Sequence, residues 1–219
     1  MGKASLMVLR LAYLASLILG ILLLALGAIL RPSAADAAPG MQQQQNNNGA
    51  HVDVAPFKLA ITPISAQYYD RLISTAENDG ANALVIELDT PGGLVASMED
   101  MVQHTLASHV PIIVYVAPQF AVAGSAGLYI VYASHVAAMA PNTTIGSSEV
   151  VGIGDTGGTS GTPETGDAAT ERRKITNDLV SRIDNLADLR HRSRSFGEKA
   201  VTVSQNYGAQ AALKEHVVD

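Results

Sequence analysis

The sequence predicts an α/β fold with a mostly parallel sheet flanked by helices, preceded by one N-terminal apolar helix. Short, continuously apolar runs typical of buried strands alternate with segments whose apolar residues recur at helical spacing. The predicted strands are residues 58–61, 83–88, 112–116, 136–140 and 216–219. Helical stripes cover residues 69–76, 98–106 and 175–186, and two shorter helices begin near Phe196 and Gly208. We expect this arrangement to bury both faces of the sheet.

The N-terminal apolar segment indicates export or membrane attachment. Residues 11–30 carry no charge and follow Lys3 and Arg10. About twenty apolar residues suffice for a membrane-spanning helix, whereas a signal-peptide core is usually about 7–15 residues long. Residues 35–37, Ala-Asp-Ala, nevertheless offer the small residues that signal peptidase favours. Residues 1–31 are therefore a signal peptide or a membrane anchor. Either places the following domain on the extracytoplasmic side, membrane-anchored or secreted.

Composition then divides the remaining chain. Residues 32–55 are predicted to be a disordered linker, because runs of Gln and Asn cannot bury enough apolar surface to offset the ordering entropy. The folded domain is expected at residues 56–219. Within it, residues 152–169 are rich in Gly, Thr and Asp and are predicted to form a mobile loop.

Charge and cysteine content exclude several function classes. A net charge of −6 argues against a nucleic-acid partner, which would need a basic surface. The one basic cluster, residues 190–194, is expected to be a solvated helix end. The absence of Cys excludes disulfides, thiol catalysis and Cys-based metal sites, and we expect neither a metal nor a cofactor.

The first segment that could carry chemistry is Asp-Thr-Pro-Gly-Gly at residues 89–93. A buried strand runs there into a Gly-Gly turn before a helix. Gly92 and Gly93 would let backbone N–H groups approach a reacting atom, as in an oxyanion hole. Taken alone, the same residues also fit a plain turn.

The second segment is Val-Ala-Gly-Ser-Ala-Gly at residues 122–127. Small residues surround the hydroxyl of Ser125, so that a substrate carbonyl could approach it closely. The alternative is a structural serine that caps the following helix.

The two segments together, with residues 139–146, resemble the NfeD family of membrane-associated serine proteases, relatives of ClpP and of signal peptide peptidase A. Further matches are Lys174, Asn177, Asp178 and residues 196–201 and 217–219. The resemblance implies a ClpP/crotonase-like fold, a nucleophile at Ser125, and oxyanion donors at the Gly92-Gly93 turn. Our working hypothesis pairs the Gly93 N–H with the Ala126 N–H as those donors. It also implies peptide or membrane-protein substrates cut within apolar segments, a stomatin-like partner, and self-association at least to a dimer.

The general base is the part of the pattern from which this sequence departs. The resemblance suggests a Ser-Lys dyad, but the family lysine aligns with Val203 in our register. Lys199, one helical turn earlier, is the first substitute, and Lys174 is the second. A lysine base must be neutral near pH 7, and burial among apolar neighbours can lower its pKa sufficiently.

Two other functions stay open. A non-catalytic membrane scaffold could bind a stomatin-like partner without cutting it, and the missing lysine at Val203 favours that alternative. Acyl-thioester chemistry on the same fold is the third hypothesis, and the extracytoplasmic placement argues against it.

Overall fold

The computed structural model describes residues 49–150 and 167–219. The apolar segment at residues 1–31, the linker up to residue 48 and most of the predicted loop, residues 152–166, lie outside the described residues. No helix in the described part of the chain is long and apolar enough to cross a membrane.

Strands and helices alternate along the described chain. The strands are β1 (Val52–Phe57), β2 (Ala83–Leu88), β3 (Ile112–Val116), β4 (Val122–Gly124), β5 (Val136–Met139), β6 (Thr144–Gly146) and β7 (Asn206–Gly208). The helices are α1 (Pro63–Asp79), α2 (Val95–Ala107), α3 (Ala126–Ala133), α4 (Asp167–Arg190), α5 (Arg194–Thr202) and α6 (Ala209–Lys214).

Two sheets organise these elements. The larger is fully parallel with the strand order β1-β2-β3-β5, and its central register pairs Ile86 with Val114. The smaller has the order β4-β6-β7, with β4 parallel and β7 antiparallel to β6. The prediction of an α/β fold with a mostly parallel sheet and helices is therefore confirmed.

The expected burial of both sheet faces is wrong for the larger sheet as described. One face, which carries Leu84, Ile86 and Val114, is buried in the core that the helices share. On the opposite face, Val85 of β2 and Ile113 of β3 are only half-buried, and Val54 and Val136 are exposed. A continuous apolar run thus predicted the strands correctly but not the number of covered faces.

The predictions for both ends of the domain need correction. The first strand is Val52–Phe57 rather than residues 58–61, so it includes residues assigned to the linker. It forms there because β2 pairs with it along its whole length and because Ala55 and Phe57 enter the core. The predicted strand at residues 216–219 is absent. His216 instead has φ = 55°, and the turn lets Val217 and Val218 become buried.

Two further local expectations differ from the structure. Residues 167–169, the end of the predicted loop, begin helix α4. The basic cluster is not a uniformly solvated helix end, because Arg192 is only 7% exposed. Its guanidinium donates to the Asp219 carboxylate at 3.0 Å and to the Ser134 carbonyl at 3.1 Å. These partners are distant in the chain, which is why the local charge pattern did not indicate burial.

Candidate active site

Ser125 lies at the junction of β4 and α3 in a strained backbone conformation. Its φ and ψ are 50° and −118°, a combination that non-glycine residues rarely adopt and that the surrounding structure must hold in place. Its N–H donates to the Gly146 carbonyl at 2.9 Å, and its carbonyl accepts from the Leu128 N–H at 3.0 Å. Its side chain makes no capping hydrogen bond to α3. The residue is half-buried, so the hydroxyl is not acting as a helix cap and is not sealed in the interior.

The Gly-Gly turn lies directly beside Ser125. Thr90 forms a parallel bridge with Ala123, and hydrogen bonds of 2.7 and 3.0 Å join Thr90 to Val122 and Gly124. A Cβ atom on Gly92 would lie 2.5 Å from the Ser125 Cβ and 3.1 Å from its Oγ. The two glycine-bordered turns therefore meet, and their approach is so close that only glycine fits at residue 92.

Two backbone N–H groups beside this serine are available to a ligand. The N–H groups of Gly93 and Ala126 make no hydrogen bond to any residue that the structure describes. The Gly92 N–H, in contrast, donates to the Thr90 hydroxyl at 3.1 Å. Gly92 thus provides space, whereas Gly93 and Ala126 can supply the donors of an oxyanion hole.

A small pocket of about 100 Å³ opens at Ser125. Its lining residues are Gly93, Val95, Met98, Ser125, Ala126, Tyr129, Ser148, Glu149, Val150 and Leu179. Most of these side chains are apolar, so the pocket suits a small or medium apolar side chain. Sequence reasoning missed Tyr129 and Ser148, although Tyr129 lies one helical turn after Ser125 and Ser148 closely follows the conspicuous glycine at residue 146.

Neither candidate lysine lines this pocket. Lys199 is exposed on α5. Lys174 is exposed near the start of α4, where its ammonium lies 3.7 Å from the Glu171 carboxylate. The two lysines differ in their surroundings, however. The first half of α4 borders the pocket, because Leu179 lines it and Arg172 donates to the carbonyl of the lining residue Val150 at 2.7 Å.

The described histidines do not supply a base at the site, whereas one acidic residue lies at the pocket. No described histidine lines the Ser125 pocket, but Glu149 does, and its carboxylate accepts from the Ser204 hydroxyl at 2.7 Å. The Nδ1 of His135 accepts from the Ile112 N–H at 3.1 Å. His51, Asp53 and Asp79 are close enough together to offer three metal ligands, but they lie near the start of β1 and the end of α1.

Comparisons with known proteins agree with this geometry. The family model of the NfeD1b N-terminal domain matches residues 51–169. The membrane-bound protease PH1510 of Pyrococcus horikoshii is 38% identical over 168 residues, which are 77% of this chain and 36% of that protein. The membrane protein NfeD1b of Bacillus subtilis is 30% identical over 112 residues, 51% of this chain and 25% of that protein. The chain thus spans about a third or less of the length of these relatives.

Two solved structures of the 1510-N membrane-bound stomatin-specific protease also match, each with 37% identity over 78% of this chain. For a serine-to-alanine mutant the TM-score is 0.69, and the match covers 78% of the mutant's chain. For a lysine-to-alanine mutant in complex with a substrate peptide the TM-score is 0.70, and the match covers 75% of the mutant's chain. With the family model covering more than half of the residues, the chain belongs to the NfeD family.

Proposed function

We propose that this domain is a membrane-associated serine endopeptidase of ClpP/crotonase-like fold that cuts apolar peptide segments with Ser125. One observation carries the proposal. The Ser125 side chain, free of any capping bond, opens into an apolar pocket beside the unpaired N–H groups of Gly93 and Ala126. A nucleophile, an oxyanion hole and a side-chain pocket are the parts that acyl transfer requires.

The reaction follows from these positions. The Ser125 Oγ attacks the substrate carbonyl carbon while a neutral lysine amine accepts its proton. The Gly93 and Ala126 N–H groups stabilise the oxyanion, and losing one such donor typically raises the barrier by about 2.7–4 kcal/mol. The lysine then protonates the leaving amine, which departs with the C-terminal part of the peptide. Water hydrolyses the remaining ester and restores the serine.

For the base we favour Lys174 over Lys199. In the related protease, the mutated serine and the mutated lysine are 41 residues apart. Lys174 follows Ser125 by 49 residues and Lys199 by 74, so Lys174 is closer to that spacing. Lys174 also lies on the part of α4 that borders the pocket. Bringing its amine to Ser125 requires the first turns of α4 to shift, with loss of the exposed Glu171 contact.

The substrate and the cellular setting extend the same proposal. The apolar pocket and the stomatin specificity of the related protease support an apolar segment of a stomatin-like protein as substrate. The N-terminal apolar helix, as an anchor or a signal peptide, would deliver the domain to the extracytoplasmic side of the membrane. We propose self-association to at least a dimer.

The test compares the full chain with three single variants on apolar peptides from the membrane-proximal part of a stomatin. We expect Ser125→Ala to abolish cleavage, Lys174→Ala to reduce it at least about 1,000-fold, and Lys199→Ala to leave it within about twofold. Equal cleavage by the parent and Ser125→Ala would refute the nucleophile. If Lys199→Ala lowered cleavage more than Lys174→Ala did, Lys199 rather than Lys174 would be the base.

A non-catalytic scaffold is the second candidate, and one observation favours it: neither lysine lines the Ser125 pocket. Such a scaffold would bind the same apolar peptides with unchanged affinity in the Ser125→Ala variant and would release them intact. Mass spectrometry of the peptide after prolonged incubation with the parent protein distinguishes the two functions.

A further inference from the structure

We infer that the buried hydroxyl groups of Ser148 and Tyr129 are positioning groups, which hold the Ser125 turn in a fixed relation to α4, the helix that carries Lys174. The inference rests on the proposed peptidase function and assigns roles to two residues outside the nucleophile, the base and the oxyanion donors.

Ser148 restrains the nucleophile from one side. Its side chain is buried, with 4% of the residue exposed, and its Oγ donates to the Ser125 carbonyl at 3.2 Å. Its own N–H donates to the Ala200 carbonyl at 2.8 Å, so Ser148 is tied to α5. Because the Ser125 backbone is strained, it needs restraints from outside its own turn, and Ser148 supplies one of them.

Tyr129 connects the same region to α4. It lies one helical turn after Ser125, is 2% exposed, and donates its hydroxyl proton to the Leu179 carbonyl at 3.2 Å. Burial raises the pKa of Tyr129 well above its usual value. The phenol therefore stays protonated and remains a hydrogen-bond donor throughout the pH range of peptide hydrolysis.

The two hydroxyls hold the site from two sides. Ser148 joins the Ser125 carbonyl to α5, whereas Tyr129 joins α3, the helix that directly follows Ser125, to the Leu179 carbonyl of α4. Leu179 is five residues after Lys174, which corresponds to about 7.5 Å along a helix. The Tyr129 bond thus fixes α4 at Leu179 against the helix that follows the nucleophile, a short distance along α4 from the proposed base.

Loss of the Tyr129 hydroxyl should affect the chemical step rather than peptide binding. Tyr129→Phe keeps the ring that lines the pocket, so peptide binding should change little. It removes the Tyr129 bond to the Leu179 carbonyl, and with it the fixed point about which the first turns of α4 must move to bring Lys174 to Ser125. Since a displacement of about 1 Å can cost roughly 100-fold in rate, the change should appear in kcat and in its pH dependence.

Tyr132→Phe is the matched control. Tyr132 is also buried on α3, and its hydroxyl donates to the Ser193 carbonyl at 2.8 Å, next to α5 rather than α4. In the full chain, we expect Tyr129→Phe to lower kcat roughly 10- to 100-fold, with KM within about twofold, and to shift the limb of the pH profile set by the base. Tyr132→Phe should lower only the melting temperature.

The outcomes separate the inference from the proposed function. An inactive parent, or a parent matched by Ser125→Ala, refutes the peptidase itself. An active parent with Tyr129→Phe and Tyr132→Phe alike in kcat and pH profile overturns only the positioning role. If Tyr129→Phe does not fold, Ser148→Ala is judged by the same kinetic criteria.

Discussion

Gly92→Ala tests most sharply whether the Gly-Gly turn and Ser125 are in direct contact. The new methyl group would lie 2.5 Å from the Ser125 Cβ and 2.9 Å from the Gly124 carbonyl oxygen, at a residue whose φ is 105°. Backbone strain of this kind costs about 1–3 kcal/mol, and overpacking adds about 1–3 kcal/mol. We therefore expect the free energy of unfolding to fall by about 2–6 kcal/mol.

The catalytic effect should exceed what lost stability alone explains. To relieve the contact, the turn must move away from Ser125, which separates the Gly93 N–H from the nucleophile. Losing one oxyanion donor typically costs on the order of 100- to 1,000-fold in kcat. Thermal unfolding measures the first effect, and peptide hydrolysis well below the melting temperature measures the second.

Gly80→Ala is the control for Gly92→Ala. Gly80 also has a positive φ, 76°, but an added Cβ there meets no atom within 4 Å. It ends helix α1, far along the chain from either turn of the site. We expect a stability loss of about 1–2 kcal/mol and unchanged kcat. If Gly92→Ala retained the kcat of Gly80→Ala, the inferred contact between the turn and the nucleophile would be wrong.

Two other predictions concern the scaffold. Arg192→Ala should lower the free energy of unfolding by on the order of 3 kcal/mol, because it removes a buried guanidinium that pairs with Asp219. The Arg194 side chain is 52% exposed, so Arg194→Ala, which breaks its ion pairs with the half-buried Asp184 and the exposed Asp188, should cost less than about 1 kcal/mol. Equal melting temperatures of the two variants would contradict this difference. The pKa of His51 is raised above 6.5 by its hydrogen bond to the Gly49 carbonyl and then by Asp79. Its stabilising effect is therefore present below pH 6.5 and lost as pH rises through the folded-state pKa, so the parent should lose thermal stability relative to His51→Gln as the pH rises above 6.5. If the melting temperatures of the parent and of His51→Gln changed equally with pH, the stabilising role of protonated His51 would be refuted.

The central strands could be predicted because their own residues carry the signal. Residues 83–88 and 112–116 are continuous apolar runs between turn residues, and the structure places β2 and β3 at the same bounds. The first strand was misplaced because Asp53 and Pro56 interrupt its apolar residues directly after a polar stretch, and because its pairing with β2 decides its position. The three-residue strands β4, β6 and β7 are too short to show a periodicity.

The candidate site was predictable to the extent that its parts are local motifs. Small residues around Ser125 and the Gly-Gly turn indicate close approach of the backbone, but only the bridge between Thr90 and Ala123 shows that the turns meet. The base could not be derived in the same way. Its position depends on how α4 lies against the pocket, and no local pattern around Lys174 or Lys199 encodes that packing.

The most direct test of the central claim is to map covalent modification of the full chain by a peptidyl fluorophosphonate with an apolar side chain next to the phosphorus. The account predicts a single adduct on the Ser125 hydroxyl, formed in parallel with the loss of peptide cleavage, and faster in the parent than in Gly92→Ala. Loss of cleavage with the adduct on another residue, or full cleavage by a protein modified at Ser125, would contradict it.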